Sequence, residues 1–179
     1  DGSTPATTVS LAGGEWYFHV KARSGAGLWS GVVTRRVRVD AGTPSISGLA
    51  CSPHASESAW YASTDPTFTW SASSGASPVT GFSWALDHAT GTVPDTSVDG
   101  TQPTRSYSAV ADGVWYFHVR AVDGAGRWGG AAHRCIRIDT SQPWMTSLTS
   151  TSHPSETEWC AGAEVRGANF NSYNPGTGI

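Results

Sequence analysis

The sequence predicts an all-β protein built from repeated β-sandwiches, and three observations support this prediction. The segment GEWYFHV at residues 14–20 returns as GVWYFHV at residues 113–119, which sets a repeat period of 99 residues, the length of one small domain. Apolar and polar side chains alternate along the apolar stretches, and no stretch has the spacing of an amphipathic helix. The stretches are short and end at Gly, Pro, Ser or Asp, as strands joined by turns do.

The repeat divides the chain into one complete unit and two partial units. Residues 42–140 form the complete repeat. Residues 1–40 correspond to the C-terminal part of a first repeat, and residues 142–179 to the N-terminal part of a third repeat with a divergent tail. The further matches are SGAGLWSG (24–31) with DGAGRWGG (123–130), VRVD (37–40) with IRID (136–139), and Pro44, His54, Glu57 and Trp60 with Pro143, His153, Glu156 and Trp159.

Within the complete repeat, each predicted strand has one apolar face. Alternate residues of a strand point to opposite sides of a sheet, so these faces are expected to meet in the core of a two-layer sandwich. Strands are predicted at 46–50, 66–72, 81–87, 105–110, 113–122 and 132–139, with a short additional strand near 92–98. The predicted core residues are Phe68, Trp70, Phe82, Trp84, Trp115, Phe117, Ile136 and Ile138.

The middle repeat resembles a known domain family in three of these segments. The segments are FTW (68–70), TGFSWALD (80–87) and WYFHVRAVDGAG (115–126), which are similar to the B, C and F strands of fibronectin type III domains. The longer signature from Asp112 to Trp128 is more similar to the Ig-like repeats of large secreted bacterial and archaeal proteins. The resemblance implies tandem Ig-like/fibronectin type III-like β-sandwiches of about seven strands per repeat, at an extracellular or cell-surface location.

Two positions depart from the pattern of the family. The position that resembles the tyrosine corner of fibronectin domains holds Trp115. After Val165, the third repeat has no counterpart of Phe68 or Trp70 in register. The C-terminal tail is therefore expected to be either a divergent strand or a terminal cap.

Composition and repetition argue against several classes of function. Charged residues make up 14% of the chain and the net charge is −3, so no basic face for nucleic acid is expected, nor any membrane insertion. No combination of Ser, His and Asp typical of a catalytic triad is apparent. The candidate histidines recur one period apart, His19 with His118 and His54 with His153. Because catalysis needs a site only once, repeated positions indicate a structural role, and the chain is not expected to be an enzyme.

The three cysteines, Cys51, Cys135 and Cys160, break the repeat, because their counterparts are other residues. A disulfide between Cys51 and Cys135 would close a loop of about 84 residues and stabilise the domain by roughly 4–5 kcal/mol. The alternative is a pair of free, half-buried thiols.

Candidate ligand contacts are few. Asp40 and Asp139 close the last strand of their repeats at the linkers, where calcium could bind, but the alternation of acidic ligands typical of calcium loops is missing. Turn and capping roles are the favoured interpretation, so no cofactor is expected. Four aromatic residues are candidates for partner or glycan contacts, Trp60, Tyr61, Tyr116 and Trp128. Packing at the ends of the sandwich is the alternative for these side chains.

These observations predict an extracellular structural repeat protein that forms part of a surface stalk, sheath or filament. Its expected partners are copies of itself or neighbouring repeats. Residues 1–40 supply what look like the last strands of a sandwich, and residues 142–179 what look like the first. One hypothesis is therefore head-to-tail polymerisation by strand complementation, and its alternative is a chain cut from a longer protein. The competing function is a carbohydrate-binding or adhesive accessory module of a secreted enzyme or adhesin.

Overall fold

A computed structural model describes the backbone of residues 8–150 and 168–173, and the side chains of residues 8–144. This part of the chain contains strands and no helix, which confirms the all-β prediction, and every pair of neighbouring strands is antiparallel. None of its elements is a helix long and apolar enough to cross a membrane. The strands are β1 (Gly14–Val20), β2 (Val33–Val39), β3 (Ser45–Ser52), β4 (Thr67–Ser73), β5 (Val79–Asp87), β6 (Thr104–Ser106), β7 (Gly113–Asp123), β8 (Ala132–Ile138), β9 (Trp144–Ser150) and β10 (Ala168–Tyr173).

The middle of the chain has two sheets packed against each other, an arrangement compatible with a β-sandwich. One sheet has the order β3-β4-β6 and the other the order β5-β7-β8. Phe68 of β4 stacks on Phe117 of β7 with ring centroids 4.1 Å apart and an interplanar angle of 12°. Trp70 of β4 contacts Phe82 of β5 edge-on, at 5.3 Å. The predicted apolar faces therefore do meet between two layers.

The core contains most of the apolar residues predicted for it. Phe68, Phe117, Ile136 and Ile138 are fully buried, and each large apolar side chain removed from water contributes roughly 1.5–3 kcal/mol. Trp115, also predicted for the core, is half-buried at its edge. Its indole nitrogen donates a hydrogen bond to the carbonyl oxygen of Ala111 at 2.9 Å, which holds the ring at the rim of the sandwich.

The additional strand predicted near 92–98 is wrong, because this segment is not a strand in the structure. Pro94 has no N–H group to give to a ladder. The Asp95 carboxylate accepts the N–H of Ser97 at 2.8 Å, and the Asp99 carboxylate accepts the N–H of Trp84 at 2.8 Å. The two carboxylates thus accept backbone N–H groups that a strand would have donated to a neighbouring strand.

The strand predicted at 105–110 is shorter than expected, since β6 ends at Ser106. Ala109 has a φ of 54°, in the left-handed region that strands do not use. Its N–H group donates to the carboxylate of Asp65 at 2.9 Å, so a side chain takes a hydrogen bond that strand pairing would use.

Part of the divergent tail, β10, forms a strand. β10 pairs with β9, as β4 pairs with β3. Ser45 pairs with Ser73 in the middle repeat, whereas Trp144, one period after Ser45, pairs with Tyr173. A shift of one residue in the pairing therefore accommodates the changed sequence.

Candidate functional site

The hairpin formed by β1 and β2 reproduces the hairpin formed by β7 and β8. Gly14 pairs with Val39, and Gly113 pairs with Ile138, each residue one repeat period from its counterpart. The remaining pairs follow in the same register to the end of both hairpins. The sequence repeat is therefore also a repeat of backbone pairing.

Local side-chain contacts are reproduced as well. The indole of Trp16 donates to the carbonyl oxygen of Ala12 at 2.9 Å, as the indole of Trp115 does to Ala111. Since both contacts span four residues, they depend only on the local sequence.

The burial of the two hairpins differs sharply. Phe117 is 0% exposed, whereas Phe18, its counterpart, is 47% exposed. Trp16 and Val20, on the same side of β1, are 41% and 49% exposed. A groove of about 310 Å³ runs along this region and is lined by Val9, Leu11, Trp16, Tyr17, Phe18 and Val37. We call the surface formed by Trp16, Phe18, Val20 and Val37 the apolar face of the first hairpin.

In the middle repeat, two structures cover the corresponding face. The sheet β3-β4-β6 lies over Phe117, with Phe68 at the centre of the contact. The segment 54–61 lies along the free edge of β8. There Tyr61 donates its N–H to the carbonyl of Arg137 and accepts the N–H of Asp139, both at 3.0 Å. A neighbouring sheet and an edge segment together complete the burial.

Arg134 of β8 fastens this edge segment to the sheet. Its side chain is 11% exposed and forms an ion pair with Glu57 at 3.3 Å. The same guanidinium donates to the carbonyl oxygens of His54 and Ala55 at 3.0 and 2.7 Å. The side chain of Arg35, one period earlier, is exposed and has no hydrogen-bond or ion-pair partner in the described part of the chain.

Asp40 joins the first hairpin to the middle sandwich. Its carboxylate accepts the N–H and the hydroxyl of Ser77 and the N–H of Gly42. The hydrogen bonds from Ser77 lower the pKa of Asp40 to about 2. Its carbonyl oxygen accepts a hydrogen bond from the Arg127 guanidinium at 3.0 Å. This is a linking role, and it agrees with the turn and capping interpretation of the sequence.

No metal centre is evident among the described side chains, which include no group of three or more His, Cys, Asp or Glu residues able to hold an ion. Asp139, the counterpart of Asp40, accepts the N–H of Ser141 at 3.0 Å. Both linker aspartates therefore engage backbone donors.

Cys51 and Cys135 are free thiols in the structure, and both are buried. Burial raises the pKa of Cys51 to about 11, which keeps the sulfur protonated and unreactive at neutral pH. Cys160 lies outside the described residues.

The four candidate aromatic residues do not form one platform. Trp60 is 41% exposed, and Tyr61, Tyr116 and Trp128 are half-buried. The guanidinium of Arg137 lies 5.8 Å from the ring of Trp60, and that of Arg120 lies 4.9 Å from the ring of Trp128. The placement of Tyr116 and Trp128 also separates them. Tyr116 is near the start of β7, whereas Trp128 bridges to Val122 near its end, about 20 Å along the strand.

The sequence did not predict a polar cluster around the buried His118 on the outer face of the second sheet. His118 is fully buried, with Nδ1 2.6 Å from Nδ1 of His133 and Nε2 3.2 Å from Oδ1 of Asp87. One of the facing Nδ1 atoms must carry a proton for the other to accept. Asp87 has a lowered pKa, chiefly because the hydroxyl of Thr92 donates to it.

The first repeat explains why this cluster was missed. His19, the counterpart of His118, contacts the hydroxyl of Thr34 at 2.8 Å. Thr34 is the counterpart of His133, so the second histidine is not part of the repeated pattern. The juxtaposition of His118 and His133 across β7 and β8 was the available signal.

Comparisons with known proteins add no relationship. No protein-family model matches the chain, and no curated protein matches it. The resemblance to Ig-like and fibronectin type III repeats therefore stays a prediction based on the motifs.

Proposed function

We propose that the protein is an extracellular structural repeat protein, part of a surface stalk, sheath or filament made of tandem Ig-like sandwiches. Neighbouring repeats assemble when a sheet of one covers the apolar face of the first hairpin of the next. The observation that carries this proposal is the contrast between Phe18, 47% exposed, and Phe117, 0% exposed, in the same register.

The free energy of burial supports association at this face. Trp16, Phe18 and Val20 lie side by side, and burying each would contribute roughly 1.5–3 kcal/mol. Contiguous exposed apolar surface of this kind marks interaction sites in soluble proteins. A two-stranded hairpin is also only marginally stable alone. Burial of this face by another sheet is therefore thermodynamically favourable.

The junction at Asp40 supports a mechanical role. The contacts of Asp40 with Ser77 and Arg127 fix the hairpin to the next sandwich at two points. Pro44 follows directly and restricts the backbone at the start of β3. A linker held in this way resists bending, which is the property that a stalk or filament needs.

The competing glycan-binding function has less support. Stacking on sugars requires accessible, flat aromatic surface, but guanidinium groups lie near Trp60 and Trp128. Tyr116 and Trp128 are at different ends of β7. Structural assembly is therefore the function that we favour.

The proposal is tested by measuring the solution mass of the 179-residue chain by light scattering over a concentration series, with electron microscopy of the same samples. We expect a ladder of oligomers or fibres, and a Phe18→Lys variant that stays monomeric. Leu28→Arg is the matched control, because Leu28 is exposed in a loop and its counterpart is Arg127. A chain that is monomeric at every concentration would contradict the proposal.

A further inference from the structure

Two histidines face each other across β7 and β8, on the side of the second sheet that is opposite to the core. His118 and His133 are direct partners in the register of these strands, so backbone pairing holds their Cα atoms about 4.5–5.5 Å apart. Their Nδ1 atoms are 2.6 Å apart, and the ring planes meet at 71°. Two imidazole nitrogens held close together on a rigid sheet are suited to bind one transition-metal ion.

The carboxylate of Asp87 determines which nitrogen of His118 is available as a ligand. Oδ1 of Asp87 lies 3.2 Å from Nε2 of His118, and an ionised carboxylate can only accept a hydrogen bond. Nε2 therefore carries the proton of the neutral ring, and Nδ1 has a lone pair that faces His133. A carboxylate on the outer nitrogen of a metal-binding histidine commonly orients the ring and makes it a more basic ligand.

The two histidines differ in burial. His118 is 0% exposed, so its ring is held in place, whereas His133 is exposed and can be reached from solvent. Because Nδ1 of His118 accepts, neutral His133 must donate its own Nδ1 proton between the rings. When an ion replaces this hydrogen bond, the proton moves to Nε2 of His133, and both Nδ1 atoms then offer lone pairs.

The separation of the two nitrogens favours particular ions. A zinc–imidazole bond is about 2.0–2.1 Å long, and bonds to Cu(II) and Ni(II) are of similar length. Two such bonds place their nitrogens about 2.9 Å apart at a right angle and about 3.3 Å apart at the tetrahedral angle. The observed 2.6 Å is closer to the right-angle value. Right angles are typical of tetragonal Cu(II) and Ni(II), and Cu(II) binds nitrogen ligands most tightly among the divalent first-row ions.

The first hairpin has the same backbone pairing without the second histidine. His19 and Thr34, one period before His118 and His133, pair across β1 and β2. Nδ1 of His19 lies 2.8 Å from the hydroxyl oxygen of Thr34. A neutral hydroxyl is a poor ligand for these ions beside an imidazole. The pair of nitrogens is therefore specific to the middle repeat, and the first hairpin is a control within the same molecule.

We propose that His118 and His133 bind one Cu(II) or Ni(II) ion through their Nδ1 atoms, with Asp87 as the residue that orients His118. Since the described side chains provide no group of three or more ligating residues, water molecules complete the coordination. The ion joins β7 to β8 on the face opposite to the sheet β3-β4-β6. The site is therefore independent of assembly through the apolar face of the first hairpin.

The first test titrates the 179-residue chain with CuCl₂ or NiCl₂ at about pH 7.5, where histidine is neutral, and follows binding by calorimetry. We expect one ion per chain, and nitrogen splitting in the electron paramagnetic resonance spectrum of the copper form. His133→Thr installs the residue that the first hairpin has at this position, and it should weaken binding about 10-fold or more. Asp87→Ala should weaken binding about 10–100-fold. His19→Gln is the matched control and should leave the affinity unchanged.

The second test builds the pair in the first hairpin. Thr34→His places a histidine opposite His19, and we expect the stoichiometry to rise from one ion to two. The new site should be the weaker one, because His19 has no carboxylate partner in the described part of the chain. A gain of binding cannot result from a variant that merely loses its fold.

The third test is thermal unfolding with and without the ion. An ion that binds only the folded chain should raise the Tm of the middle sandwich by about 5 °C or more at a free concentration of about 100 times Kd. The Tm of His133→Thr should rise less. Equal affinity of the wild type and His133→Thr would show adventitious binding only and would overturn the site, as would a chain that binds neither ion. Tighter binding of Zn(II) than of Cu(II) would overturn the choice of ion.

Discussion

The two hairpins β1-β2 and β7-β8 have the same register and closely similar sequences, but they occupy opposite environments. Phe117 is stacked on Phe68 inside a sandwich, while Phe18 remains largely accessible to water. The pairing of a hairpin depends on its turn and on neighbouring strand residues, all within about 26 residues here. Burial depends on whether another sheet is present. The comparison therefore separates what forms locally from what requires a partner.

The largest expected difference between the hairpins concerns the phenylalanines. Phe117→Ala should destabilise the middle sandwich by about 3–5 kcal/mol, because it leaves a cavity beneath Phe68. Phe18→Ala should change the stability of the dilute monomer by less than about 0.5 kcal/mol. Urea unfolding followed by tryptophan fluorescence measures both. Equal losses would mean that Phe18 is already covered in solution.

The arginine pair tests the edge segment. Arg134→Ala should cost about 1.5–3 kcal/mol, because it removes charge-assisted hydrogen bonds to two backbone carbonyl oxygens. Arg35→Ala should leave the thermal unfolding of the monomer unchanged. Arg134→Lys keeps the charge but cannot present the planar fork, so an intermediate loss is expected. If Lys replaces Arg134 without loss, the charge alone holds the segment.

The pH dependence of stability should come in part from the middle repeat, where His54 is buried. Burial lowers the pKa of His54 below its ordinary value of 6.5. The folded state then binds fewer protons than the unfolded state, so stability is complete above about pH 6.5 and falls as the pH decreases. The contribution is below about 1.4 kcal/mol per pH unit for one group.

A variant of His54 measures this contribution by unfolding at a series of pH values. His54→Gln should flatten the pH dependence of the unfolding free energy between about pH 5 and 7. If the variant leaves the curve unchanged, the acid sensitivity of the protein has another source.

The smallest effect on global stability is expected at the junction. Asp40→Asn removes a charged acceptor of Ser77 and Gly42, but these bonds lie outside the core. We expect unchanged unfolding of the middle sandwich and faster proteolysis at residues 39–44. The wild-type junction should loosen in the same way as the pH falls from 3.8 towards 2, where Asp40 becomes protonated. Asp139→Asn is the matched control at the other linker, and it should not change cleavage at 39–44.

Sequence reasoning predicted the strands best where alternation and turn residues agree. β4 and β7 have clear apolar rows, and Phe68, Trp70 and Phe117 are in the core as expected. The prediction was wrong at 92–98, where Asp95 and Asp99 bind backbone N–H groups. The alternation of apolar and polar residues cannot by itself show that a side chain will compete for the backbone hydrogen bonds between strands.

The candidate site was predicted only in outline. The repeat placed an apolar row on the first hairpin, and Phe18 in that row is 47% exposed. The role of Arg134 was not predicted, because its acceptors lie about 80 residues earlier in the chain. The cluster of His118, His133 and Asp87 was missed because His133 is not part of the repeated pattern.

The sequence by itself determined the repeat period, the strand faces and the register of each hairpin. These features depend on side-chain alternation and turn chemistry, which act over short stretches of chain and are therefore the same in both copies. Only the tertiary structure decided which hairpin is buried, where His118 is placed and what Arg134 holds. Burial is a property of distant segments meeting in space, and two closely similar sequences differ in it when only one of them has a second sheet to pack against.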